Sequence, residues 1–190
     1  MKSFLILFVL VFSHGASATI QEDFEKLKDT ARNYVDTGAI CEEVARLQIA
    51  KDFPEPQFDV VTGIAYGGND GVVGELDVIV FDNNTQKAIQ ISEVKCWKKL
   101  DNALMKAQSQ RKRFLTALTN KKIKFFKSTN KVREYTVDQF SYVTKFLSLG
   151  QQGAVAQGFD AELEYSLREL MELRDMMLAC QSHGDCPKPK

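Results

Sequence analysis

Asp77, Glu93 and Lys95 are charges set inside two apolar runs, GELDVIVFD and ISEVKCW, within the stretch from Gly74 to Trp97. On an extended strand Ile89, Ile91, Glu93 and Lys95 share one face while Ser92 and Val94 share the other, so two charges prolong a face that begins apolar. Asp77 precedes Ile79 on its own face in the same way. If the two runs pair as a hairpin through Asp82-Asn83-Asn84, Asp77 at the start of one meets Glu93 and Lys95 at the end of the other. Two carboxylates beside the Val94 carbonyl form an all-oxygen site of the kind Mg²⁺ or Mn²⁺ accepts, and a divalent cation relieves their repulsion. Lys95 would then stabilise negative charge on a phosphate or orient the attacking water. The bland reading of the same pattern is a set of solvent-facing positions on alternating strands.

Composition narrows the rival chemistries. The 190 residues contain two histidines, and beyond residue 18 only His183 remains, so Ser-His-Asp hydrolases and histidine-dependent nucleases lack a key residue. Lysine and arginine total 25 against 25 acids, so overall charge points to no polyanion. The distribution does, because Lys121, Lys122, Lys124, Lys127, Lys131 and Arg133 fall in one acid-free run interleaved with Ile123, Phe125 and Phe126. Residues 1–18 read as a secretory signal peptide: Lys2, the apolar run FLILFVLVF, then Ala16-Ser17-Ala18. The expectation is an exported protein, periplasmic or secreted, with no membrane anchor after cleavage and one domain over 19–190. Four cysteines can pair in an oxidising compartment. Cys180 and Cys186, in CQSHGDC, are the expected bridge, which leaves Cys41 with Cys96 as a second bridge or as two buried thiols.

The elements that must position the charged residues read as α-α-β-β-β-α-β-(β)-α. Helices are expected over 20–36 and 39–51, strands over 58–65, 72–81 and 88–96, and a helix over 99–119. A short strand at IKFF, one or two strands between Arg133 and Leu149, a flexible GQQGAVAQG loop and a last helix capped by Asp160 follow. The fold class is α/β, a central mixed β-sheet flanked by α-helices.

GELDVIVFD followed by ISEVKCW resembles the paired motif strands of the PD-(D/E)XK, or restriction-endonuclease-like, nucleases, over roughly Gly38 to Leu118. The resemblance implies a restriction-endonuclease-like core and cleavage of nucleic acid, DNA before RNA. It makes Asp77 and Glu93 metal ligands with the Val94 carbonyl, and Lys95 the catalytic lysine. These families often carry a glutamate on the preceding helix, and CEEVARLQI offers Glu42, favoured by its spacing to Ala45, or Glu43. They also place a polar residue of the following helix over the site. In the stripe Leu100, Leu104, Ala107, Phe114, Leu118, position 111 is arginine, which would bind substrate phosphate or an acid of the site, or reach solvent from the stripe's edge. Gln108 and Gln110 flank it as backbone contacts. The alternative function is a non-catalytic exported domain that keeps the fold and binds nucleic acid or protein.

Overall fold

The computed structural model describes residues 19–130 and 133–189; the expected signal peptide and Lys131 lie outside them. Three long antiparallel strands form its centre: β1 (Phe58–Gly68), β2 (Gly71–Asp82) and β3 (Lys87–Lys95). They form because β-branched and aromatic residues alternate between Asn/Asp/Gly turns. β4 (Phe125–Ser128) and β5 (Glu134–Tyr135) extend the sheet antiparallel beyond β1, whereas β6 (Lys145–Gly150) and β7 (Ala161–Glu162) extend it parallel beyond β3. The result is a seven-stranded mixed sheet, ordered β5-β4-β1-β2-β3-β6-β7, in an α/β protein.

Helices α1 (Ile20–Leu27), α2 (Thr37–Asp52) and α4 (Leu167–His183) cover one face of the sheet. There Ile40, Val44, Leu170, Leu173 and Met177 pack on Val78, Val80 and Val94. Helix α3 (Leu100–Thr119) crosses the other face, where Phe114 meets Ile79, Ile91 and Tyr66 beside a stacked Phe126–Phe140 pair. Opposite faces of β2 and β3 therefore feed two separate cores.

Two helix boundaries differ from expectation. The first helix stops at Leu27 instead of running to residue 36, because Arg32 and Tyr34 turn inward to 7% and 0% exposure. Asp36 then caps α2 through the Gly38 N–H, so the second helix begins at Thr37, two residues before its expected start. Asp160 caps no helix; its carboxylate accepts from the Ser148 N–H and hydroxyl, and Ser166 caps α4 with a Glu169 capping box. The expected flexible loop is pinned, since Gln151 donates to the Trp97 carbonyl and Glu162 accepts from the Gly153 and Val155 N–H groups.

Both disulfides form, Cys180–Cys186 at the end of α4 and Cys41–Cys96 between α2 and the residue after β3. Among the described residues no helix is long and apolar enough to cross a membrane.

Candidate functional site

The β2–β3 ladder runs up to the Val78–Ser92 pair and stops. Past that point β3 stays paired with β6 as far as Lys95, while β2 stays paired with β1 alone. The fork leaves the Val94 N–H without a partner on β2, and the Asp77 side chain supplies one, accepting it at 2.8 Å. Lys95 Nζ reaches back into the fork, 2.5 Å from the same Asp77 oxygen, 3.0 Å from the Val94 carbonyl and 3.8 Å from Glu93 Oε2. Asp77, Glu93, the Val94 carbonyl and Lys95 thus converge. The hairpin and the strand period were enough to foresee this.

Glu93 is only 4% exposed and its Oε2 accepts no hydrogen bond. Burial, then the Asp77 charge, push its carboxyl up to about 9. Burial works to lower the Lys95 ammonium, but Asp77 and Glu93 outweigh it and hold the pKa above its ordinary value.

The helix glutamates divide cleanly. Glu42 feels Asp77, Glu75 and Lys95; burial followed by the Asp77 charge raise it to about 8, against an ion pair with Arg32. Glu43 accepts instead from the Thr62 hydroxyl and Arg46 Nε, each at 2.7 Å, and so fastens α2 to β1. Glu42 belongs to the cluster and Glu43 to the scaffold.

Arg111 stands apart from its expected place. It is exposed, with its guanidinium 5.2 Å from the Phe146 ring, and the inward stripe of α3 runs through Ala103, Ala107, Phe114 and Ala117. The helical period puts position 110 on that stripe, and the buried, unpartnered Oε1 of Gln110 agrees. Arg111 and Gln108 still line a small cavity of about 100 Å³ with Glu93, Ser148 and Asp160. Sequence reasoning missed Arg113, whose charge bears on Glu93 and on the Tyr66 hydroxyl, and had only the RKRF run to suggest it. It also missed Arg32, which fell within the expected first helix.

Arg32 is seated by two neighbours. Gln181 of α4 donates to its carbonyl, and Gly63, at φ +67°, leaves room for the guanidinium, since a Cβ there would lie 2.9 Å from Arg32 Nη1. Gly63 falls opposite Asp77 in the β1–β2 register, so Arg32 enters the cluster from the β1 side. The Cys41–Cys96 bond joins the residue before Glu42 to the residue after Lys95.

The donors are hard oxygens, suited to Mg²⁺ or Mn²⁺, and Glu93 Oε2 is a buried acceptor without a hydrogen bond. Yet among the described residues no three acids, histidines or cysteines stand close enough to hold one ion as placed. Asp77 is engaged by Lys95, and Glu42 by Arg32. No protein-family model, curated protein or solved structure matches the chain.

Proposed function

We propose that the protein is an exported, metal-dependent nuclease with a restriction-endonuclease-like core, hydrolysing phosphodiester bonds of DNA, or of RNA. The observation that carries this reading is the convergence of Asp77, Glu93 and Lys95 at the β2–β3 fork, with Glu42 brought to the same cluster. Asp77, Glu93 and the Val94 carbonyl, joined by Glu42, would hold Mg²⁺ or Mn²⁺. Such an ion supplies a water of lowered pKa and charge to offset the phosphate. Lys95, fixed by Asp77 and the Val94 carbonyl, directs an ammonium N–H toward a phosphate oxygen or the water. Arg111 and Gln108, exposed beside Glu93, contact flanking phosphate, and a guanidinium suits that task because it binds phosphate through paired N–H donors. Export is supported by the signal-like residues 1–18 and by two disulfides.

The test is cleavage of plasmid, single-stranded DNA and RNA by the purified protein with Mg²⁺ or Mn²⁺. Cleavage that disappears with EDTA and in Lys95→Ala supports the reading; intact nucleic acid under every condition overturns it. The engagement of Asp77 and Glu42 by Lys95 and Arg32 favours the second reading, a non-catalytic binding domain. Thermal stabilisation by Mn²⁺ that vanishes in Asp77→Asn counts against that alternative.

A further inference from the structure

The connection from β3 to α3 is Cys96-Trp97-Lys98-Lys99, and it follows Lys95 directly. Trp97, the only tryptophan in the chain, is 43% exposed, and Lys98 and Lys99 are exposed beside it. A single exposed apolar side chain is ordinary on a protein surface. The backbone beneath this one is held from both sides, however. Cys96 is bonded to Cys41 of α2, and the Trp97 carbonyl accepts from Nε2 of Gln151 at 2.8 Å. Gln151 is itself 6% exposed, so the anchor is buried while the indole is not. Two residues of chain span at most about 7 Å, which sets the backbone of Trp97 close to that of the cluster's lysine.

The helix that follows carries charge of one sign. From Lys98 to Arg113 there are six basic residues and one acid, Asp101, in a chain whose totals are 25 and 25. Among the described residues Lys98, Lys99, Lys106 and Arg113 are exposed and take part in no ion pair. Lys106 and Arg113 stand seven positions apart, about two turns, and so share one flank of α3, across its buried stripe from Arg111. The charge of Arg113 bears on Glu93 and on the Tyr66 hydroxyl of β1, so this flank overlooks the side on which β2 parts from β3. The unpaired cations extend over about 20 Å from Lys99 to Arg113 and begin next to Trp97.

We propose that Trp97, Lys98, Lys99, Lys106 and Arg113 form the track of a single-stranded nucleic acid, with the indole stacked on an unpaired base near the phosphate that is cut. The cations hold backbone phosphates along α3. Stacking on Trp97 requires a base whose flat face is uncovered, and inside a duplex neighbouring bases cover both faces. An exposed ring on an anchored backbone stacks without first having to order its chain. The inference rests on the nuclease reading for the bond being cut, and it narrows the substrate of that reading from nucleic acid in general to single strands. A stacked strand advances about 3.4 Å per nucleotide, so the step from Lys95 to Trp97 corresponds to about two nucleotides and the whole track to about six.

Because Trp97 is the only tryptophan, the tryptophan emission of the full chain reports on this ring alone. Titration in EDTA with an oligothymidylate of about twelve nucleotides should quench that emission, whereas inorganic polyphosphate, which carries charge without bases, should bind and leave it nearly unchanged. Trp97→Ala should weaken oligothymidylate binding about tenfold by anisotropy of a labelled strand, and Trp97→Phe should recover part of the loss, both variants melting within a few degrees of wild type. Lys106→Gln with Arg113→Gln should lower the slope of log K against log salt by about 1.4, at about 0.7 for each phosphate contact removed. If wild type cleaves nucleic acid yet a saturating strand leaves its emission unmoved, or Trp97→Ala binds as tightly, this inference falls and the nuclease reading stands. Equal quenching by polyphosphate overturns the stacking, and an equal Trp97-dependent loss on a duplex overturns the single-strand assignment. A strand that binds and quenches but is cut with neither Mg²⁺ nor Mn²⁺ removes the nuclease reading and leaves the track. A wild type that neither binds nor cleaves nucleic acid overturns both.

Discussion

Glu43 and Glu93 are both buried carboxylates, at 2% and 4% exposure, and they sit in opposite circumstances. Glu43 has a hydroxyl on one oxygen and a guanidinium on the other; the Thr62 bond ties helix to strand and the Arg46 bond, within α2, holds the carboxylate in place. Glu93 has an orphan oxygen, two neighbouring acids and one lysine at 3.8 Å. Burying a carboxylate without a hydrogen bond is costly, and Glu93 carries that cost where Glu43 does not. The contrast separates an acid that stabilises the fold from one that the fold tolerates.

Activity should expose the difference most strongly. On the nuclease reading, Glu93→Gln is expected to lower cleavage by about 10²-fold or more, whereas Glu43→Gln should stay within a few-fold per folded molecule, measured as kcat/KM with Mn²⁺. Comparable losses in both variants would erase the distinction.

Stability should move in the opposite sense. Glu43→Ala strips the Thr62 hydroxyl and Arg46 of their acceptor and should cost about 2–4 kcal/mol by denaturant titration. Glu93→Gln in EDTA near pH 9 should raise the melting temperature, because it removes a buried charge that Lys95 and Arg113 offset only in part.

The pH profile sharpens this further. With Glu42 and Glu93 raised to about 8 and 9, the folded state binds more protons than the unfolded state above the ordinary carboxylate range. Metal-free stability is therefore full below about pH 4.5 on account of these groups and falls as pH climbs toward 9, by at most about 1.4 kcal/mol per unit for each group. Melting curves from pH 5 to 9 should show that decline in EDTA, a shallower one in Glu93→Gln, and a flattened one in Mn²⁺. A metal-free profile that is level or rising would contradict the cluster.

The smallest effect belongs to Arg111. Exposed on α3, it should cost about threefold to tenfold in KM as alanine, with stability unchanged within about 0.5 kcal/mol.

The fork was legible because strands report their facing by a period of two, and a turn of polar residues fixed which ends meet. The choice between Glu42 and Glu43 was not, since neighbouring helix residues differ by a rotation that only the packed helix sets. Arg32 escaped notice because it lies inside the expected helix over 20–36; inward packing of Arg32 and Tyr34 breaks that helix at Leu27. Arg111 was expected one position off the true stripe, where Gln110 lies. β7 and the role of Asp160 depend on a parallel crossover, which leaves little local signature.

The bond between Cys41 and Cys96 closes a ring of chain, 55 positions around, that contains β2 and β3, the strands that part at the fork, and places Glu42 and Lys95 at its clasp. Closing a loop of that length removes on the order of 4 kcal/mol of freedom from the unfolded chain. Where thiols stay reduced the clasp is open, and α2 is held to the sheet by packing and by the Glu43–Thr62 hydrogen bond. On the nuclease reading, the helix glutamate is tethered covalently to the strand of Lys95 only once the chain reaches an oxidising compartment.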